Sequence, residues 1–453
     1  MARRPTSHRP VRRLPVHTGP AGWEAILPPR AAGSALSGEV GCDVAIVGAG
    51  FAGLSAARHL HTADPTLDIV VLEAGRIAQS SAGRNSGFMI DLPHDLTSSD
   101  YAGTGEARDR VLTRLNRHAI GFAEAIVADF GLPKGTFRRS GKINGAASRV
   151  GEAANRTYAQ HLHDLGEPHE MLDADQMRGI TGSDYYSGGL FTPGTALIQP
   201  AAYIRGLADG IAAKGVRLFE DSPVTGFEST QTGWSLKTPS GTVTAQKVIL
   251  ATNGHLQSFG FKTGQLMHIM LNACMTAELP AEALVALGGQ DSWGLTPADP
   301  MGCTVRRIAT PEGGNRIVIR QGGYYRPDMQ TSAADLARVT ANMRRKFDDR
   351  FPALRDVPFD HAWSGHLCLS RNGVSVMREL EPGLYSACVQ NGLGTTRGTL
   401  TGIGAADLVL GRQTEITRFF LSEPEPSRLP PHPFDTIGAN AYLRWKEWQA
   451  RTE

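Results

Sequence analysis

The stretch DVAIVGAGFAG at residues 43–53, followed by IVVLEAG at residues 69–75, decides the fold of this chain. Its order predicts a buried parallel strand, a glycine turn, a helix, a second strand and then an acidic residue. Gly48 permits the tight turn, Gly50 lets the backbone approach a pyrophosphate, and Gly53 lets the helix pack closely on the strand. These features indicate a dinucleotide-binding unit.

The helix of this unit begins near Phe51 and would direct its free N–H groups at the pyrophosphate. Glu73 follows Gly53 by 20 residues, where a carboxylate accepts hydrogen bonds from ribose hydroxyls and disfavours a 2′-phosphate. Because the chain holds 52 glycines in 453 residues, the flanking strands and Glu73 give the glycine spacing its specificity. The motif alone serves NAD as well as FAD.

Length and composition set outer bounds on the class of protein. A chain of 453 residues exceeds what one hydrophobic core usually supports, so we expect two domains or one elaborated domain. The hydrophobic fraction of 41% and the charged fraction of 20% are typical of a soluble enzyme. A net charge of +2 indicates no nucleic-acid partner and no acidic membrane. No uninterrupted apolar stretch reaches the length of a membrane span, and we predict a cytoplasmic protein.

The cysteines and the N-terminal arginines have simple interpretations. Five scattered cysteines without a CxxC pair predict free thiols in a reducing compartment and no metal site. The first thirteen residues carry five arginines but no apolar run behind them, so they are not typical of a signal peptide. We predict a solvated, partly disordered arm there.

Further along, two more glycine-rich loops and several element patterns stand out. SSAGRNSGFM at 80–89 can gather backbone N–H groups, with Arg84 as a cation for phosphate or, alternatively, as a solvated side chain on a flexible loop. A strand at 248–251 ends in a polar glycine turn, and a glycine loop at 391–398 opens a helix. The insert at 262–360 predicts a largely antiparallel sheet.

Four other stretches have patterns that predict an element. Residues 100–180 read as mainly helical, and residues 233–255 read as a hairpin with its turn at 239–241. A charged helix is predicted at 333–350 and a final amphipathic helix at 439–448.

Taken in order, these motifs carry a family resemblance over nearly the whole chain. The set DVAIVGAGFAG, VVLEAG, SSAGRNSG, KVILATNG and LYSACVQNGLGTTRGTLTG resembles FAD-dependent oxidoreductases of the glycine/D-amino acid oxidase family. Within that family, GRNSG at 83–87 is similar to the loop of the gamma-glutamylputrescine oxidase branch. The resemblance implies an α/β fold, α+β overall, with a Rossmann-type FAD-binding domain and a second, mainly antiparallel substrate domain.

The resemblance also implies a division of the chain. The predicted parts are an N-terminal arm at 1–39, an FAD-binding domain at 40–95, 196–256 and 361–412, a substrate domain at 96–195 and 257–360, and a tail with a helix at 413–453.

The family implies which residues bind FAD, which we expect to be held without a covalent bond. They are Gly48, Ala49, Gly50, Phe51, Ala52 and Gly53 at the pyrophosphate, Glu73 and Ala74 at the ribose, Ser81, Arg84, Asn85 and Ser86 from the phosphates toward the flavin, Val224 at the adenine, Ala251 and Gly254 beside the cofactor, and Gly392, Leu393, Gly394 and Thr395 at flavin N1 and the C2 carbonyl. Donors and a helix dipole at that last position stabilise the negative charge of reduced flavin.

The implied reaction is oxidation of a small amine or amino acid. A hydride passes from the carbon beside the amine nitrogen to flavin N5, and the resulting imine hydrolyses. The amine must be neutral, which burial favours. Oxygen is the expected electron acceptor, with release of peroxide, and a dehydrogenase with another acceptor is the alternative. An NAD-dependent dehydrogenase and a non-catalytic flavin protein are more remote alternatives. The residues single out no catalytic base.

Substrate contacts are expected from the insert and from the C-terminal flavin elements. The candidates are His268, Met270, Asn272, Arg320, Tyr324, His366 and Gln390. The first three differ by two positions and so share a strand face. Arg320 could bind a carboxylate with two hydrogen bonds, or could be a solvated arginine at a strand end. Each of the others also has a purely structural interpretation.

Cys368 is a special case, because the sarcosine oxidase branch ties its flavin to a cysteine in this part of the chain. In the preferred register Gly365 occupies that position. We therefore expect Cys368 to be a buried, inert thiol.

Overall fold

The computed structural model describes residues 8–93 and 105–453. The strands are Arg9–Pro10 (β1), Gly38–Val47 (β2), Ile69–Leu72 (β3), Phe88–Met89 (β4), Phe137–Arg139 (β5), Lys142–Ala146 (β6), Glu170–Asp173 (β7), Gly188–Thr192 (β8), Ala196–Ile198 (β9), Arg217–Phe219 (β10), Gly226–Ser229 (β11), Trp234–Lys237 (β12), Gly241–Leu250 (β13), Leu266–Thr276 (β14), Trp293–Pro297 (β15), Thr304–Ile308 (β16), Arg316–Tyr325 (β17), Phe359–Ser370 (β18), Val376–Glu381 (β19) and Leu384–Cys388 (β20).

The helices are Gly22–Ala25 (α1), Phe51–Ala63 (α2), Ser81–Arg84 (α3), Glu106–Asp129 (α4), Arg149–Leu165 (α5), Ala174–Thr181 (α6), Pro200–Ala213 (α7), Ala281–Leu287 (α8), Thr310–Gly313 (α9), Ala333–Arg350 (α10), Thr396–Val409 (α11), Glu415–Leu421 (α12) and Phe434–Gln449 (α13), with 3-10 turns at Asn253–Phe259 and Pro352–Leu354.

The first sheet has a parallel centre. Its strands run in the order β1, β11, β12, β13, β2, β3 and β10, with β20 beside β13 and β19 beside β20. The pairs β20 with β13, β13 with β2, β2 with β3 and β3 with β10 are parallel. Val47 pairs with Leu72 on one side and Leu250 on the other, so the carboxyl ends of three strands align at one sheet edge. Open α/β sheets bind ligands at that edge.

Strand β13 pairs with two successive strands along one edge, opposite β2, because it is ten residues long. Its first half pairs with β12, as in Trp234 with Ala245, and forms the predicted hairpin. Its second half pairs with β20, as in Val248 with Leu384. The early and late parts of the chain therefore join in one sheet.

The second sheet is antiparallel apart from one neighbouring pair, as predicted for the insert. Its order is β18, β14, β17, β16, β15, β6, β8 and β7, and only β15 with β6 is parallel. The charged helix α10 packs on it, with Val339, Met343 and Phe347 buried among residues of this sheet. A third, small sheet contains β4, β9 and β5.

One strand lies outside its predicted part of the chain. Residues 361–370 were expected with the FAD-binding domain, but β18 pairs with β14 along the second sheet, from Leu266 with Ser370 to Thr276 with Phe359. The long ladder accounts for this position, since the backbone groups of β18 that face β14 find partners there. The domain boundaries themselves stay a prediction.

The N-terminal arm is only partly solvated where the structure describes it: Arg12 and Arg13 are exposed, as predicted, whereas Arg9 is half-buried. Arg9 forms an ion pair with Glu381 at 2.6 Å and lies 4.4 Å from the centre of the Phe227 ring. Strand β1 also pairs with β11. The ion pair and the aromatic ring replace part of the water that would otherwise surround this guanidinium.

Other predicted elements are confirmed. Helix α10 occupies 333–350, a glycine loop leads from β20 into α11, and α4 covers the periodic part of 100–180. The final helix begins earlier than predicted, at Phe434. The cysteines are free, and all but the half-buried Cys42 are buried.

Candidate active site

The candidate active site is a cleft at the aligned carboxyl ends of β2, β3 and β13. From there the cleft reaches the second sheet, where residues of β14, β17 and β18 line its other wall. The glycine turn after β2, the loop at 80–86 and the loop before α11 line the first wall. The tertiary structure thus brings the three predicted glycine loops to one place.

The glycine turn after β2 requires glycine for steric reasons. Gly48 has φ +105, and a Cβ there would lie 2.7 Å from the Ala251 carbonyl oxygen. A Cβ on Gly53 would lie 1.8 Å from the Gly48 carbonyl oxygen. These contacts hold α2 tightly against the turn. Its first residue, Phe51, therefore starts the helix at the cleft.

The N-terminus of α2 is suited to an anion. No side chain caps the helix at Gly50, and its first turn carries no acidic residue. The N–H groups of the first turn of a helix lack partners within the helix, and the helix dipole is positive there. The arrangement fits a pyrophosphate.

Glu73 occupies the same end of the cleft. Its carboxylate is 7% exposed and accepts hydrogen bonds from the N–H groups of Ala49 at 2.8 Å and Gly75 at 3.2 Å. Burial raises its pKa. An ionised carboxylate offers about four lone-pair positions, so Glu73 can still accept from ribose hydroxyls. Val224 lines the cleft nearby.

A second uncapped helix N-terminus lies in the first wall. Helix α11 has no side-chain cap at Thr395 and no acidic residue in its first turn. Gly392 and Gly394 line the cleft, and a Cβ on Gly394 would meet no atom within 4 Å. In contrast, Leu393 packs in a small apolar cluster and the Thr395 hydroxyl donates to the Phe88 carbonyl at 2.5 Å.

Arg84 differs from its predicted role as a cation facing phosphate. Its side chain is 5% exposed and donates to the carbonyls of Gln79 at 2.6 Å, Ser364 at 3.0 Å and Gly19. Burial lowers its pKa to about 10. Each nitrogen of the guanidinium thus binds a backbone oxygen, and the side chain ties its loop to β18 and to the N-terminal segment.

Most residues predicted to bind cofactor line the cleft, which is consistent with the prediction of their roles. Those lining it are Gly48, Gly50, Phe51, Ala52, Glu73, Ala74, Ser81, Arg84, Asn85, Ser86, Val224, Ala251, Gly392 and Gly394. Ala49, Gly53, Leu393 and Thr395 lie behind this surface. Gly254 also lies behind it, because a Cβ there would be 2.6 Å from Cε1 of His366.

Met270, Asn272, Arg320 and His366 line the cleft on the second wall, and Gln390 lines it in the loop before α11. Asn272 is 1% exposed, and its Oδ1 accepts from the Ser364 hydroxyl at 2.8 Å. Its Nδ2 has no hydrogen-bond partner among residues 8–93 and 105–453. A buried amide with an unused donor is costly unless a ligand accepts from it.

Three of the predicted substrate contacts have partners within the protein, and their contact with substrate stays a prediction. Tyr324 does not line the cleft. The guanidinium carbon of Arg338 lies over its ring, 5.4 Å from the ring centre. The Gln390 amide donates to the Ala387 carbonyl at 3.0 Å. His268 lies behind the cleft surface in a chain of hydrogen bonds.

That chain determines the protonation of two imidazoles. Gln257 donates through Nε2 to the Lys262 carbonyl at 3.3 Å, so its Oε1 accepts from His268 Nε2 at 2.5 Å. His268 Nδ1 then lacks a proton and accepts from His366 Nε2 at 3.0 Å. Burial lowers the pKa of His268 to about 4 and that of His366 well below its usual value. Both rings are neutral at pH 7, and His366 Nδ1 is an acceptor.

Sequence reasoning missed one whole side of the cleft. Val11 and residues 13–18 line it, as do His255, Met329 and Thr331. None of them stands in a glycine loop or a strand-end motif, so no local sequence signal marks them. Only the tertiary structure brings the N-terminal segment over the cleft.

Cys368 does not line the cleft, whereas Gly365 does. The Cys368 side chain is fully buried, and burial raises the pKa of its thiol. This placement supports the expectation of an inert thiol.

The cleft geometry agrees with comparisons to known proteins. The family of FAD dependent oxidoreductases called DAO matches residues 43–408. The chain belongs to this family. It is therefore an FAD-dependent oxidoreductase, and the alternative of an NAD-dependent dehydrogenase is set aside.

Relatives of this oxidoreductase match it over most of their length. A probable oxidoreductase OrdL from Rhizobium meliloti is 26% identical over 89% of this chain and 91% of its own. Gamma-glutamylputrescine oxidoreductase from Escherichia coli is 27% identical over 88% and 89%. The crystal structure of glycine oxidase from Geobacillus kaustophilus superposes with a TM-score of 0.69, at 21% identity, over 85% of this chain and 100% of that one. The fold of the oxidoreductase is thus the family fold.

The helices in the described parts of the chain were also compared with the requirements of a membrane span. None of them is both long enough and apolar enough to cross a bilayer.

Proposed function

We propose that this oxidoreductase oxidises an amine or amino acid at the carbon next to nitrogen and passes the electrons to oxygen, releasing peroxide. The observation that carries the proposal is the continuity of the cleft. One cavity joins Gly48 and Glu73, which suit the adenosine half of FAD, to Asn272 and Arg320 on the second wall. A cofactor laid along the first wall therefore brings its reactive ring toward the second.

FAD, when bound, supplies a two-electron acceptor for the hydride of the substrate. The chain itself supplies the surroundings. The free N-terminus of α11 offers a positive dipole to negative charge on the reduced cofactor. The unused Nδ2 of Asn272 offers a hydrogen bond to an acceptor on the substrate. Burial in the cleft favours the neutral amine, which is the form that is oxidised.

The relatives support the class of substrate. Two of them are named for activity on an amine conjugate and an amino acid, gamma-glutamylputrescine oxidoreductase and glycine oxidase. His366, as a neutral ring with an acceptor nitrogen, adds a group that can accept an N–H without bringing positive charge to an amine.

We further propose that the substrate carries a carboxylate. Arg320 lines the same wall as Asn272, and a guanidinium binds a carboxylate with two parallel hydrogen bonds. Arg320→Met should then lower kcat/KM about 100-fold for substrates with a carboxylate. For matched amines without a carboxylate, kcat/KM should stay nearly unchanged. Arg320→Lys keeps the positive charge but loses the two parallel donors of the guanidinium. Its kcat/KM for carboxylate substrates should lie between that of the unchanged protein and that of Arg320→Met.

The test is an anaerobic titration of the flavin absorbance with matched pairs of amines, with and without a carboxylate, followed by admission of air. Bleaching of the yellow colour by a member of the panel supports amine oxidation, and fast recovery in air supports oxygen as acceptor. Slow recovery would show a dehydrogenase. Failure of every amine to bleach the flavin would contradict the proposal.

A further inference from the structure

The N-terminal segment lies over the cleft although it precedes the part of the chain that the family match covers. Val11 and residues 13–18 line the cleft, whereas the match begins at residue 43. The apolar side chains of Val11, Leu14 and Val16 are part of this lining. The segment therefore adds a wall that the family motifs do not provide.

On one side, the segment is fastened to the first sheet and its neighbouring turn. The N–H of Val11 donates to the Thr225 carbonyl at 2.9 Å, and the N–H of Arg12 donates to the Ser258 carbonyl at 2.9 Å. Just before them, the Arg9 guanidinium forms two hydrogen bonds with the Glu381 carboxylate, at 2.6 and 3.0 Å. Arg9 and Glu381 are each 30% exposed, so solvent screens this pair only in part.

On the other side, it is fastened to the loop between β17 and α10. The Arg13 guanidinium donates to the Pro327 carbonyl at 2.6 Å, and the Thr18 hydroxyl donates to the Thr331 carbonyl at 2.8 Å. The Gly19 carbonyl accepts from the buried Arg84. The segment thus spans from the first sheet to the second.

We propose that residues 8–19 form a strap across the cleft that retains the bound FAD. A molecule lying in the cleft lies beneath the strap, and the bonds at both of its ends must break before the strap can move aside. Such a strap slows dissociation of the cofactor more than it slows association, because the bonds are present only in the closed state. The proposal depends on the FAD family of the chain and not on the substrate proposed above.

The first test is the affinity and release rate of FAD in purified full-length protein and its variants. Arg9→Gln with Thr18→Val removes one fastening on each side, and should raise the dissociation constant and the release rate by about tenfold, as measured by flavin fluorescence. A chain that starts at residue 20 should bind FAD more weakly, and release it faster, than the double variant. The matched control is Arg114→Gln, which breaks the exposed ion pair with Glu415 on other helices and should release FAD as the unchanged protein does.

The second test needs no variant. Trypsin cleaves after Arg12 and Arg13, and FAD should slow that cleavage at least fivefold relative to the apoprotein, whereas cleavage at Arg451 near the C-terminus should be unaffected. If the double variant releases FAD at the unchanged rate, or if FAD does not protect Arg12 and Arg13, the strap does not retain the cofactor. The protease test decides the matter even if the shortened chain fails to fold.

Discussion

The two walls of the cleft present different kinds of groups to a ligand. On the first wall, these groups come mostly from backbone: the turn at Gly48, the uncapped start of α2 and the glycine loop before α11. On the second wall, they come from side chains on strands, such as Asn272, Arg320 and His366. Backbone recognition needs particular residues for steric reasons, but side-chain recognition leaves each strand position open to many residue types.

This difference explains why a cofactor is easier to infer than a substrate. A substitution that creates a steric clash in the first wall should disrupt that whole wall. A substitution on the second wall should alter only the binding of the ligand that contacts it. The following experiments probe that contrast, beginning with the largest expected effect.

Gly53→Ala should be the most damaging single change. Its Cβ would lie 1.8 Å from the Gly48 carbonyl oxygen, so the turn or α2 must shift. We expect a loss of about 4 kcal/mol in the free energy of unfolding and a loss of bound FAD. Thermal unfolding and flavin absorbance measure both. Gly41→Ala is the matched control, because a Cβ at Gly41 meets no atom within 4 Å. A stable, yellow Gly53→Ala protein would contradict the steric account.

Arg84→Met tests whether the loop arginine serves structure or phosphate. Removing three donors to backbone carbonyls should destabilise the apoprotein by about 3 kcal/mol in denaturant unfolding. Arg114→Met, at an exposed ion pair, should leave the stability of the apoprotein nearly unchanged. An apoprotein of normal stability that binds FAD weakly would instead indicate a phosphate contact.

Stability should fall at mildly acidic pH because of the neutral histidines near the second wall. The folded-state pKa of His268 is about 4, below the unfolded value of 6.5, so the unfolded chain binds the proton first. The stabilisation is complete above pH 6.5 and is lost as the pH falls toward 4, by up to about 1.4 kcal/mol per pH unit. His268→Gln should flatten this slope in denaturant titrations at several pH values. An unchanged slope would show that His268 is not the source of the pH dependence of stability.

Asn272→Leu should show whether substrate binding on the second wall can change while FAD binding does not. We expect KM for the substrate to rise about tenfold, because one hydrogen bond is lost, while FAD affinity stays the same. Steady-state kinetics and flavin titration give the two values. Asn342→Leu, at a half-buried position of α10 that does not line the cleft, is the control. A parallel loss of FAD affinity would mean that Asn272 belongs to the cofactor wall.

The smallest effect is expected at Cys368. Acid precipitation should leave the yellow colour in the supernatant, both for the unchanged protein and for Cys368→Ala, since the thiol does not line the cleft. Colour retained in the pellet and lost in the variant would show a covalent bond to this cysteine.

The accuracy of the sequence predictions followed the same contrast. The glycine turn, the acidic Glu73 and the antiparallel insert were predicted because each has a strong local pattern. The side-chain candidates were predicted less well: Met270 and Asn272 reach the cleft, but Tyr324 packs under Arg338 and His268 binds Gln257 and His366. Alternation along a strand identifies a face, and it does not show which part of that face meets the cleft.

By itself, the sequence determined the dinucleotide unit and the family, because steric limits on glycine and the spacing to Glu73 are properties of a short stretch of chain. Only the tertiary structure decided that Arg84 serves backbone carbonyls, that β18 joins the second sheet, and that an arginine-rich N-terminus lies across the cleft. Those outcomes depend on partners hundreds of residues away, such as Glu381 for Arg9 and Ser364 for Arg84. Contacts between residues so far apart arise from packing of the whole chain, and no local pattern records them.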